Sequence, residues 1–258
     1  MSANKRISRK DRRIQRQASR RKPGDENTVA TSEKLNFNLK NVNPLTVNQE
    51  RTFEAWERGG HLLLTGTPGT GKSFLTIYLG MQAIFEDKEQ SKMIIIRSVV
   101  PTRDMGFLPG SNKEKSKVYE APYCSIFSEL FGRGDAYEYL KNKNVVEFMT
   151  TSFVRGITIN DAIIVVDELQ NMTASELHSV FTRIGKNCRV VFAGDIKQND
   201  LNPRKEESGF KDFFKVINKL NSFASIEFNR DDIVRSSIVR EYIIAREDLE
   251  DRGLIASL

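Results

Sequence analysis

The run Gly66-Thr67-Pro68-Gly69-Thr70-Gly71-Lys72-Ser73 is a full match to the pattern GxxxxGK[ST]. Residues of these types at this spacing do one kind of chemistry. Glycines let successive backbone N–H groups turn inward, and with the N-terminus of a following helix those groups bind an anion. Lys72 can then reach the β- and γ-phosphates of a nucleotide, while the Ser73 hydroxyl can complete a Mg²⁺ shell. The octapeptide lies between a Leu-rich stretch, His61 to Thr65, and an amphipathic one, Ser73 to Phe85. A strand, loop and helix in that order set the pattern apart from an incidental Gly-rich turn.

A second element points to the same chemistry. Ile163-Ile164-Val165-Val166-Asp167-Glu168 reads as a buried strand ending in two carboxylates. Charges at an apolar strand tip are costly unless a cation or hydrogen-bond donors compensate them. Asp167 is placed to hold Mg²⁺, usually through water, and Glu168 to polarise an attacking water as general base. A third strand, Val190 to Ala193, runs into Gly194-Asp195-Ile196-Lys197-Gln198. Gln198 is the candidate to sense the γ-phosphate or the lytic water, with Asp195 orienting the turn.

These residues need a scaffold that delivers strand ends to one place. Apolar runs at Met93 to Ile96, Val145 to Met149, Ala162 to Val166 and Val190 to Ala193 are Ile/Val-rich and continuous, as strands covered on both faces are. Helical patterns lie at Asn48 to Arg58, with Thr46 as cap, and at Ala121 to Phe131, Ser175 to Ile184 and Phe210 to Leu220. The βαβα alternation predicts a mostly parallel sheet with helices on both faces and right-handed crossovers. One α/β domain is expected over residues 35–258.

The chain has 258 residues, 39% hydrophobic and 29% charged, enough for a substantial core. No apolar run approaches the ~20 residues of a spanning helix, so no membrane partner is expected. The first residues lack the apolar stretch of a secretory signal, which predicts a cytoplasmic protein. Cys124 and Cys188 have no metal-ligand spacing and read as reduced thiols. The formal charge of +6 is unevenly spread: Met1 to Lys22 holds ten Lys and Arg against Asp11 alone, a net +9, which leaves the rest at −3. This arm has almost nothing to bury and is expected to be disordered, with a polar linker from Pro23 to about Lys34. It reads either as an arm for nucleic acid, whose binding would release counterions, or as a solvated tail.

With these elements in order, the chain resembles the PhoH-like, phosphate-starvation-inducible P-loop ATPases, which are similar to the first RecA-like domain of superfamily 1 helicases. The resemblance runs from about Asn43 to Asp248. Beyond the phosphate loop it rests on Asn48-Gln49, Gly106-Phe107-Leu108-Pro109-Gly110, Arg155-Gly156, Asp167-Glu168-Leu169-Gln170-Asn171, Gly194-Asp195 through Asp200-Leu201, and Asp232-Ile233-Val234-Arg235. It implies a RecA-like fold, ATP and Mg²⁺ as cofactors, and single-stranded RNA or DNA as partner. It also implies that Gln49 reads adenine and that Arg235 reaches the γ-phosphate, in the same chain or from a neighbour. A solitary domain of this kind needs another copy, so the resemblance implies a homo-oligomer, a ring of six, with Arg235 or Arg183 facing the next subunit. Ser98, Leu169 and Ser236 depart from the residues usual in the family at those places.

Three functions compete. The first is a Mg²⁺-dependent ATPase coupled to single-stranded nucleic acid, with helicase-like translocation. The second is a nucleic-acid-binding module whose nucleotide site governs assembly without motor activity. The third is a small-molecule kinase, which the Asp167-Glu168 pair with Gln198 disfavours because it is suited to activating water. Phe107, Tyr119 and Tyr123 could stack on bases or belong to a core or interface.

Overall fold

In the computed structural model the described residues are 38–86, 89–98, 112–195 and 207–255. The arm and linker, the Gly-Phe-Leu-Pro-Gly string with Phe107, and Gln198 lie outside them.

Six strands form one sheet: β1 (His61–Gly66), β2 (Lys92–Arg97), β3 (Val146–Thr150), β4 (Ala162–Asp167), β5 (Arg189–Ala193) and β6 (Phe223–Phe228). Their order is β3-β2-β4-β5-β1-β6, and every pairing is parallel. The apolar runs predict five of them. The sixth, Phe-Ala-Ser-Ile-Glu-Phe, carries Ser225 and Glu227 among its apolar residues because it is an edge strand, half open to water.

The helices are α1 (Val47–Glu57), α2 (Lys72–Glu86), α3 (Asn112–Phe131), α4 (Ala136–Asn142), α5 (Ala174–Phe181), α6 (Glu207–Ile217) and α7 (Ser237–Asp251). Thr46 caps α1 as expected, its side chain accepting from the Gln49 N–H. Helix α3 begins nine residues before the expected Ala121. Its first turns are polar, and Pro122, which suggests a helix start by its type, sits inside. Neither α4 nor α7 is anticipated by the sequence pattern.

Alternate residues of each strand face opposite layers. Leu63, Ile94, Ile96, Ile164, Val166 and Phe192 pack with Leu177 and Val180 of α5 and Ile217 of α6. On the other side α2 packs on β2, β4 and β5. Gly80 makes this approach possible, since a Cβ there would lie 2.4 Å from Met93 Cε. Helices thus cover both faces, as the alternation predicts. Strand β5 lies between β1, which leads into the phosphate loop, and β4, which ends at Asp167. The carboxyl ends of all three open into one crevice, where ligands of open α/β sheets bind.

Candidate nucleotide site

The loop after β1 is shaped by what surrounds it. Gly66 has φ +106°, and a Cβ there would fall 1.9 Å from the Phe228 carbonyl oxygen. The Thr67 N–H donates to that same oxygen at 3.0 Å, so β6 backs the loop directly. On its open side the Lys72 ammonium donates to the carbonyls of Gly66 (2.7 Å) and Thr67 (2.8 Å). Burial lowers the lysine pKa, an effect opposed by Asp195, Asp167, Glu168 and Asp232. A cation enclosed with neutral acceptors at its tip is a site that an anion would stabilise.

Ser73 and Asp167, 94 residues apart in sequence, meet here. The Ser73 hydroxyl donates to Asp167 Oδ1 at 2.9 Å. The other carboxylate oxygen accepts from the Tyr123 hydroxyl at 3.0 Å. Tyr123 is only 1% exposed, which removes it from the residues that could stack on a base. Burial and the adjacent Asp167 charge push its pKa well up, so its proton stays in place and its role as donor is fixed.

Glu168 follows with a left-handed backbone, φ 56° and ψ 52°. A non-glycine residue in that region carries strain of order 1 kcal/mol, common at functional sites. The turn aims its side chain into the crevice, where Oε2 accepts from Gln170 Nε2 at 2.5 Å and Oε1 lies 3.8 Å from the Arg97 guanidinium. Burial first, and the Asp167 charge second, raise the Glu168 pKa, while Arg97, Gln170 and Lys72 oppose the rise. Gln170 also ties two strand exits together, its Oε1 accepting from the Asp195 N–H at 3.0 Å. Gly194 allows this closeness, since a Cβ there would meet the Leu169 nitrogen at 2.7 Å.

The loop is clamped from both flanks. Gln49, 3% exposed, donates from Nε2 to the Thr70 carbonyl (3.1 Å) and accepts at Oε1 from the Leu45 N–H (2.8 Å). The Val234 N–H donates to the Gly69 carbonyl at 3.1 Å. Arg235 comes next, and its Cγ is 3.0 Å from where a Gly69 Cβ would stand, so it lies over the loop of its own chain. Arg183 is not among the residues lining this cleft. Behind the loop, the Thr67 hydroxyl donates to Glu247 Oε1 at 3.0 Å, and Arg230 Nε donates to Glu247 Oε2 at 2.6 Å. Arg230 also pairs with Asp248 and Asp251 of the same helix, α7.

The result is a cleft of about 690 Å³ lined by loop residues 68–73, Gln49, Tyr123, Asp167, Glu168 and Arg235, among others. Of the expected site residues that are described, Gln49, Pro68 to Ser73, Asp167, Glu168 and Arg235 line this cleft, while Gly66 and Thr67 line a separate pocket behind the loop with Arg230 and Glu247. Sequence reasoning missed Arg97, Gln170 and Glu247, and gave Tyr123 a different role. Only Gln170 had a local signal, its place in the strand-end string Asp167 to Asn171.

The chain is similar to known proteins over most of its described residues. The PhoH-like protein of Mycobacterium leprae (strain TN) is 32% identical over 221 residues, covering 83% of this chain and 61% of that protein. The PhoH-like protein of Bacillus subtilis (strain 168) is 29% identical over 207 residues, covering 80% and 64%. The chain thus spans a little over three fifths of the length of these relatives. Among solved structures, the large terminase from a thermophilic bacteriophage matches 78% of this chain and 50% of its own, with a TM-score of 0.46 and 13% identity. The family description "PhoH-like protein" matches residues 41–247, from just before α1 to the carboxylate that holds Thr67. By that match the chain belongs to the PhoH-like protein family.

Proposed function

We propose that this chain binds and hydrolyses ATP with Mg²⁺, and that turnover is coupled to single-stranded RNA or DNA in a ring-shaped homo-oligomer. The observation that carries the hydrolytic part is the convergence of Lys72, the Ser73–Asp167 pair and Glu168 on one cleft. The donor set fits magnesium, a hard cation that takes oxygen ligands and usually keeps waters and phosphate oxygens. Ser73 and Asp167 are such donors, and among the described residues no cluster of three or more His, Cys, Asp or Glu forms a complete protein cage. When bound, the ion would neutralise charge developing on the phosphates.

The chain's own residues do the rest. The Lys72 ammonium leaves the Gly66 and Thr67 carbonyls for the β- and γ-phosphate oxygens. Gly69, Thr70 and Gly71 offer backbone N–H groups, with Thr67 and Pro68 shaping the turn. Glu168 accepts a proton from the attacking water, and Gln198 orients that water. Arg235, over its own loop, spreads compensating charge on the transferring group, which supports action within one chain. Gln49 has one N–H and one lone pair beyond its two internal bonds, enough to pair with adenine N7 and N6.

The basic residues of 1–34 support the nucleic-acid reading, with residues 35–258 forming the ATPase domain. The exposed Ile238, Val239 and Tyr242 at the start of α7, close in sequence to Arg235, support a subunit contact there. A phosphate-release assay with and without RNA and single-stranded DNA, run beside light scattering, tests the reading. Saturable, Mg²⁺-dependent hydrolysis by an oligomer is expected. The absence of both nucleotide uptake and phosphate release would overturn it.

Tyr123 gives a narrower test. Tyr123→Phe keeps the buried ring and removes the donor to Asp167. A hydrogen bond to a charged group contributes about 1.5 kcal/mol, so turnover at limiting Mg²⁺ should fall about tenfold. The loss should shrink as Mg²⁺ is raised in a titration of initial rates. An unchanged Mg²⁺ dependence would remove Tyr123 from the metal-positioning role.

A further inference from the structure

The carboxyl ends of β2 and β3, next to each other in the sheet, form a corner that the hydrolytic chemistry leaves unused. The loop leaving β3 is held firmly. Val154 is fully buried in the core, and the Phe153 N–H donates to the Thr150 carbonyl at 2.9 Å. The Thr151 N–H donates to the Arg97 carbonyl at 3.3 Å, and its hydroxyl bonds Glu176 of α5. On either side of the buried Val154, this fixed loop turns Phe153, 58% exposed, and Arg155 to solvent. Arg155 has no ion pair among the described residues. Across the strand pair, Arg97 lies 6.0 Å from the half-exposed Tyr119 ring. Folding alone does not account for a large aromatic and a guanidinium both exposed, two residues apart, on a loop tied down by the bonds of Thr151 and the burial of Val154.

We propose that this corner is where single-stranded nucleic acid binds, a base stacking on Phe153 and a phosphate pairing with Arg155. The inference rests on the nucleic-acid coupling proposed above and gives it an address. A planar aromatic surface beside a cation is what a base and its phosphate require, and stacking serves any base, so the site would be tolerant of sequence. The corner also touches the chemistry. Arg97 accepts from Thr151 through its carbonyl and faces Glu168 through its side chain, so a strand that shifts the loop shifts the cation beside the general base. Occupancy of the corner would then change turnover without contact with the nucleotide.

Phe153→Ala and Arg155→Ala in the full chain test this, with labelled oligouridylate and oligodeoxythymidylate as probes in anisotropy titrations. Phe153→Ala should weaken binding about tenfold. Arg155→Ala should weaken it and lower the salt slope by about one phosphate contact. Both should keep basal ATP turnover and melting temperature while losing stimulation by the strand, and comparing the two oligomers tells RNA from DNA preference. Wild-type binding with undiminished binding by both variants would overturn the site and leave the coupling standing. Variants that change only the light-scattering mass would make the corner a subunit contact instead. A wild-type chain that binds neither oligomer would overturn the coupling itself, and the site with it.

Discussion

Glu168→Gln should leave ATP uptake intact and lower phosphate release by about 10²- to 10⁴-fold, the range for loss of a positioned general base. The substitution is nearly isosteric: the glutamine oxygen can still accept from Gln170 Nε2, and its NH₂ takes the place of the oxygen that lies 3.8 Å from the Arg97 guanidinium, beyond hydrogen-bond distance. What goes is the capacity to take a proton. The pH profile provides an independent check. Burial and the Asp167 charge raise the Glu168 pKa, and only the ionised form works as a base. Activity of the wild-type chain should therefore fall, as pH decreases, through a value above the ordinary carboxylate range. The residual rate of Glu168→Gln should lack that acid limb. Single-turnover phosphate release across a pH series measures both, and a variant that hydrolyses at the wild-type rate would remove Glu168 from the role.

Gly66→Ala should be the most damaging small change in the loop. Its Cβ would stand 1.9 Å from the Phe228 oxygen and within 3 Å of that residue's carbonyl carbon and nitrogen, and φ of +106° is itself unfavourable for alanine. The obstacle is backbone and cannot swing away. Phe228 pairs in register with Gly66, and its carbonyl is the acceptor for the Thr67 N–H. Either β6 shifts or the loop opens. A loss of about 3 kcal/mol, in the upper part of the usual range, would lower the melting temperature by about 6–12 °C in a chain of this size. Nucleotide binding should be lost with it. Gly134→Ala is the control: a Cβ there meets nothing within 4 Å, and its melting temperature should match that of the wild-type chain. Thermal melts and nucleotide titrations of the pair decide the matter.

The parts legible in the sequence are those whose signal is local. The phosphate loop is eight consecutive residues, and Asp167-Glu168 ends a strand that announces itself by composition. Four strands are continuous apolar runs because both their faces are covered, while β3, the other edge strand, has Glu147 within its run and is half-buried along its middle. Edge strand β6 mixes Ser and Glu into the same length because one side meets water. Tyr123 shows the limit more sharply. Its aromatic character is plain, but only the packing of α3 against the sheet decides that its hydroxyl meets Asp167, 44 residues on. Glu247 has no local signal at all. It looks like any acidic residue on a surface helix until the fold sets it against Thr67, 180 residues away.

That last contact makes the final helix part of the machinery at the opposite end of the sequence. A chain cut ahead of Ser237 would keep all six strands and every residue lining the cleft, yet lose the rear support of the loop at Thr67. A tag or fusion attached just beyond Asp251 would lie about one helical turn from that support. Strain applied there would reach the anion cradle mechanically, through one hydroxyl and one carboxylate.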